Sequence, residues 1–161
     1  MRVRTPISVW SSARNPVIGR MTPKNSEVDR LDNVRAASLG DVTADSLRRW
    51  CLARPSAVEE FPFGPETSVF KVGGKMFALT ALAARPLTVS LKCEPSLAEA
   101  LRAEHSSVRP GYHLNKRHWI TVTLDDSLPD DLVFGLLEDS YELVVDGLPK
   151  RERDLVRSLA P

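Results

Sequence analysis

The chain has 161 residues, 42% of them apolar and 27% charged, which suits one globular domain with a core of its own. Its formal charge of +1 excludes a strongly basic or acidic protein as a whole, and no apolar run approaches the roughly 20 residues that a membrane-spanning helix needs. Cys51 and Cys93 lack the short spacing and the flanking ligands of a zinc site or a disulfide framework, so the expectation is a soluble, cytoplasmic protein with reduced thiols.

Residues 1–40 hold Arg2, Arg4, Arg14, Arg20 and Lys24 with no acid before Glu27, and they show no sustained apolar periodicity. They read as a flexible tail, or in part as an over-extended start with Met21 as the initiator. The Arg/Ser-rich beginning resembles an organellar transit peptide only superficially, because its residue pattern lacks a convincing amphipathic helix. Residues 41–161 then make the folded domain.

Thr43-Ala44-Asp45-Ser46 supplies capping residues for a helix over 44–53 that Pro55 stops. Phe61-Pro62-Phe63-Gly64-Pro65 is too rich in proline for regular structure and predicts a rigid packed loop. Thr67–Val72 and Lys75–Leu82 flank Gly73-Gly74, whose freedom to take positive φ predicts a two-residue hairpin. The simplest register sets Val72 against Lys75, Phe70 against Phe77 and Ser68 against Leu79. Thr67, Val69, Lys71, Met76, Ala78 and Thr80 then fall on the face away from the core.

Leu87–Lys92 alternates as a half-buried strand, with Leu87, Val89 and Leu91 inward and Thr88, Ser90 and Lys92 outward. Pro95 opens a helix to about Glu104, and Trp119–Leu124 alternates again, with Thr121 and Thr123 outward. Ser127-Leu128-Pro129-Asp130 reads as a serine cap leading into a helix that runs to about Val145, where Gly147 ends it. Residues 148–159 suit a short, partly frayed helix. The order α-β-β-β-α-β-β-α defines an α+β domain, an antiparallel sheet with helices mainly on one face.

The densest functional cluster is Gly111-Tyr112-His113-Leu114-Asn115-Lys116-Arg117-His118-Trp119, and no acid occurs from His105 to Leu124. Residues 67–124 carry eight basic and three acidic side chains, whereas 125–161 carry four and ten, so the domain is electrically polarised. With Asn115-Lys116 as a two-residue turn, His113 faces His118 and Tyr112 faces Trp119. Lys116 and Arg117 would meet phosphates and the aromatic rings would meet bases. Lys71, Lys92, Thr80, Thr88, Ser90, Thr121 and Thr123 on the outward face would add donors. The competing reading makes Tyr112 and Trp119 core aromatics and the two cations solvated turn residues.

The six segments Phe61–Gly64, Phe70–Ala78, Leu91–Cys93, Pro110–Trp119, Ser127–Asp131 and Asp139–Tyr141 resemble, in order and spacing, the MmcQ/YjbR family over about residues 44–150. The resemblance implies a YjbR-like, CyaY-like α+β fold. It also implies DNA binding by likeness to a double-wing domain, a warrant from fold rather than from a site. No catalytic residues come with it.

The expected role is therefore non-catalytic binding of DNA or another nucleic acid by a monomer, through Lys71, Lys92, Tyr112, His113, Asn115, Lys116, Arg117, His118 and Trp119, with no cofactor, metal or membrane. The alternatives are an anionic small molecule on the same cations, or a protein-interaction module using the acidic C-terminal helix. The two histidines lack a third metal ligand nearby in sequence. An enzyme would need a pocket from His113, Lys116 and His118, with Tyr141 as an optional fourth member. Cys93 beside Lys92 reads as a packed rather than a reactive thiol.

Overall fold

The computed structural model describes residues 41–159, so the tail expected over 1–40 lies outside the described residues. The elements are α1 (Ala44–Leu52), β1 (Val58–Glu60), β2 (Ser68–Val72), β3 (Lys75–Thr80), β4 (Leu87–Lys92), α2 (Pro95–Glu104), β5 (Val108–Pro110), β6 (Trp119–Leu124), α3 (Asp130–Asp146) and α4 (Lys150–Ser158). The strands form one antiparallel sheet in the order β1-β2-β3-β4-β6-β5. The α+β class is as expected. The short edge strand β1, which pairs with β2, is additional.

Local sequence explains most element ends. Thr43 caps α1 through a reciprocal box with Ser46: the Ser46 amide donates to Thr43 Oγ1 at 3.1 Å and the Thr43 amide to Ser46 Oγ at 2.8 Å. Gly73 and Gly74 have φ of 55° and 72°, the double positive-φ turn that suits a twisted hairpin, and a Cβ on Gly73 would strike Leu148 Cδ2 at 2.6 Å. The start of α3 differs from expectation. Its N-cap is Pro129, while Ser127 turns back to hydrogen-bond Asp125 Oδ1 with both its amide and its hydroxyl.

The hairpin register also departs from simple alternation. Val72 does oppose Lys75, but a bulge follows, so that Phe70 opposes Ala78, Val69 opposes Leu79 and Ser68 opposes Thr80. Phe77 is the extra residue. A bulge points consecutive side chains the same way, so Phe77 and Ala78 both enter the core, and beyond it the two faces exchange. Thr80, expected outward, is buried with its hydroxyl on the Thr88 carbonyl at 2.7 Å, and Leu79 moves to the outer face.

Helix α3 lies across β2, β3 and β4 and supplies Leu136, Leu137, Tyr141 and Val144 to a core with Phe70, Phe77, Leu91 and Ile120. The Phe77 ring meets Tyr141 edge-on at 5.3 Å and Phe70 at 6.4 Å between centroids. At the C-terminal end of α1, Arg54 sits over Trp50 at 4.2 Å and pairs with Glu138 on α3 at 2.8 Å. The proline-rich segment after β1 is a loop, but not a packed one. Two turns close on their own backbone (Gly64 N to Phe61 O, 3.3 Å; Thr67 N to Gly64 O, 3.2 Å), leaving Phe61 50% and Phe63 64% exposed.

Candidate nucleic-acid interface

Strands β5 and β6 pair as far as Pro110 opposite Ile120, and one further bond joins the Gly111 amide to the Trp119 carbonyl at 2.9 Å. The expected two-residue hairpin does not form. Gly111, not Tyr112, stands opposite Trp119, because a Cβ there would lie 2.7 Å from Trp119 Cβ and 3.1 Å from Leu114 Cβ. Residues 112–118 instead form a loop of two successive turns, closed by Leu114 N to Gly111 O at 3.4 Å and His118 N to Asn115 O at 3.0 Å. His113 and His118 are therefore not a cross-strand pair. His113 takes the left-handed conformation (φ 53°), and its ring packs edge-on to Tyr112 with centroids 4.0 Å apart.

The loop is held from several sides. Asn115 Oδ1 accepts from the Arg117 amide at 3.0 Å, an Asx turn that gives this side chain a structural role in the loop. Arg102 at the end of α2 donates to the Lys116 carbonyl at 3.0 Å, and the Cys93 amide, one residue beyond β4, donates to the His118 carbonyl at 2.8 Å. The Tyr112 amide reaches Thr121 Oγ1 at 3.3 Å, and that hydroxyl shares a 2.8 Å hydrogen bond with Ser90 Oγ. The pinned backbone leaves Tyr112, His113, Lys116, Arg117 and His118 exposed, with Tyr112 74% accessible. Tyr112 is thus not a core aromatic, while Trp119 is half-buried.

Lys92 opposes Trp119 across β4 and β6 on the face away from the core, since their neighbours Leu91 and Ile120 face inward. Arg109 opposes Thr121 on that same face and is exposed. Sequence reasoning misses both Arg109 and Arg102. Arg109 lies just before the cluster, and the outward phase of β5 would have indicated it, whereas the role of Arg102 depends on a tertiary contact. Lys71 does not join the group. It lies on β2, three strand spacings or about 14 Å from β6, and its ammonium pairs with Glu60. Tyr141 is buried, with its hydroxyl on the Pro55 carbonyl at 2.7 Å, so it does not join His113, Lys116 and His118.

Beneath the loop, burial pushes the Cys93 thiol up to about 12, with Asp139 and Glu94 adding to the effect, so it is a packed thiol rather than a nucleophile. Among the described residues no three His, Cys, Asp or Glu side chains are grouped to hold a metal ion. Asp139 on α3 has a buried Oδ2 without a hydrogen-bond partner. Burial first, then the charges of Glu138, Glu94 and Glu142, raise its carboxyl to about 7.

The folded state therefore keeps a proton on Asp139 that the unfolded chain releases near pH 4. The associated stability is complete below that pH and is lost as pH rises through about 7. Asp139→Asn should accordingly gain on the wild type in urea midpoint between pH 5 and 8. A constant difference across that range would contradict this assignment.

The YjbR family model matches residues 52–143, and the uncharacterized Escherichia coli K12 protein YjbR is 41% identical over 118 residues, covering 73% of this chain and all of that protein. The chain belongs to the YjbR family. The uncharacterized protein YbdF of Escherichia coli O157:H7 is 39% identical over 113 residues, covering 70% of this chain and 93% of that one. Among solved structures, a Deinococcus radiodurans protein with a DUF419 domain superposes with a TM-score of 0.67 at 48% identity, covering 71% of this chain and 87% of that chain. A Pseudomonas syringae protein does so with a TM-score of 0.55 at 26% identity, covering 63% and 98%. The YjbR match spans β2–β4, the cationic loop and most of α3, so the site sits within the family domain. No helix among the described residues is long and apolar enough to cross a membrane.

Proposed function

We propose that this YjbR-family protein binds nucleic acid without catalysing a reaction, contacting phosphates through Lys116, Arg117, Arg109 and Lys92 in a cytoplasmic setting. The observation that carries the proposal is the anchored backbone of the 111–118 loop, which is held by bonds from Arg102 and the Cys93 amide and by the bond from the Gly111 amide to the Trp119 carbonyl, while its cations stand exposed. Anchoring lowers the entropy lost on binding, and the absence of acids between His105 and Leu124 leaves the field of the loop uncancelled in sequence. Residues 43–161 carry 15 basic and 17 acidic side chains, so affinity should be modest and strongly salt-dependent.

The two alternatives have less support. The loop cations stand exposed instead of surrounding an enclosed volume, as a small anion would need. The acids of α3 are partly engaged within the fold, Glu138 by Arg54 and both Glu142 and Asp146 by Arg157.

The test is fluorescence anisotropy of the full chain with a labelled oligonucleotide. Lys116→Glu with Arg117→Glu should weaken binding at least tenfold and reduce the slope of log affinity against log salt by about 0.9 for each duplex phosphate no longer neutralised. Arg49→Glu with Arg151→Glu changes the net charge equally from exposed helical positions outside the loop and should have a far smaller effect. The cations of residues 1–40 are present in every variant, so equal affinity of wild type and loop variant would assign any binding to other parts of the chain and reject the proposal.

A further inference from the structure

We infer that the loop takes single-stranded nucleic acid in preference to duplex, with Tyr112 as the platform on which one unpaired base stacks. This rests on the nucleic-acid reading above and names its substrate. Tyr112 is the most exposed large hydrophobic side chain among the described residues, yet its backbone is fixed by the bond from its amide to Thr121 Oγ1. The left-handed turn at His113 brings the imidazole edge-on to the phenol, a ring pair that braces Tyr112 while leaving most of its surface accessible. A braced, exposed ring beside two permanent cations matches the pairing of stacking surface and phosphate contact by which single strands are held.

Duplex offers this ring little. Its base faces are already stacked on one another, and inserting a side chain between them costs unstacking energy that proteins recover by wrapping bent DNA over a large surface. Lys116 and Arg117, with Arg109 and Lys92 on the adjoining strands, form a small footprint without such a surface. A flexible single strand can place phosphates on these cations and a base on Tyr112 together, and the stacked base adds affinity irrespective of its identity.

The test compares a labelled thymidine 12-mer with a 12-base-pair duplex, using the full chain at one salt concentration. Wild type should bind the single strand more tightly. Tyr112→Ala should weaken single-strand binding by about 5- to 100-fold and change duplex binding less than about twofold, whereas Tyr112→Phe should retain the single-strand affinity. An unchanged thermal midpoint for Tyr112→Ala, as its exposure requires, excludes unfolding as the cause. If Lys116→Glu with Arg117→Glu weakens both ligands but Tyr112→Ala weakens neither or both alike, stacking is refuted while phosphate binding stands. Failure of the wild type to bind either ligand, or indifference of both to the charge reversal, overturns the nucleic-acid reading itself.

Discussion

Replacing Phe77 with alanine should lower the unfolding free energy by about 3–5 kcal/mol, and Phe70→Ala should do the same within that range. Both rings have no accessible surface, and Phe77 touches both Phe70 and Tyr141, whose hydroxyl is tied to the Pro55 carbonyl. A cavity at Phe77 would therefore lie between the sheet, α3 and the chain leaving α1, three parts that cannot collapse together without breaking that hydrogen bond. Because the two rings are in contact, the double variant should lose less than the sum of the single losses. Urea midpoints provide the measurement, with Lys116→Ala, an exposed site, as the reference expected within about 0.5 kcal/mol of wild type. A Phe77→Ala midpoint equal to that reference would mean that Phe77 does not fill the core.

The contrast between Phe77 and its neighbours shows what a sequence can convey. Where the determinant is local, the elements are legible: the alternation of Leu87–Lys92 and Trp119–Leu124, the proline opening Pro95–Glu104 and the Thr43 cap all delimit their elements. The Gly73-Gly74 turn fixes the pairing of Val72 with Lys75, but it cannot report a bulge two residues further on. One extra residue there exchanges the faces, so Thr80 leaves the expected binding surface and Leu79 enters it.

The loop departs from expectation for a similar reason. Asn115 is a turn former, but it acts through an Asx turn within a longer loop, and the need for Gly111 depends on a close approach to Trp119 that spacing cannot reveal. Ser127 has the spacing of a cap and is drawn instead to Asp125, two residues before it. Lys71 looks like a free cation in the sequence because its partner Glu60 lies on an edge strand of three residues with too little pattern to detect. The 111–119 segment itself is legible as a site because its signal is composition, which does not depend on register.

Ser140→Ala should destabilise the fold by about 2–5 kcal/mol, although it removes a single oxygen atom and adds no bulk. Ser140 is fully buried on α3, and its Oγ accepts from the Lys92 amide at 2.8 Å while donating to the Phe77 carbonyl. The Cys93 amide points to β6, so the Lys92 amide points to β3, where regular pairing would have met Phe77. The bulge interrupts that ladder, and the hydroxyl inserts into the gap to satisfy both orphaned groups at once. Alanine would strand a buried donor and a buried acceptor, each at about 1–3 kcal/mol. Amide exchange should accelerate at Lys92, and at Cys93, whose bond to the His118 carbonyl anchors the cationic loop, so loop order and core stability should decline together. Ser96→Ala, exposed on α2, should leave both measurements unchanged. A wild-type midpoint for Ser140→Ala would show that Lys92 closes directly on Phe77 once the hydroxyl is gone, and that the bulge is set by the packing of Phe77 alone.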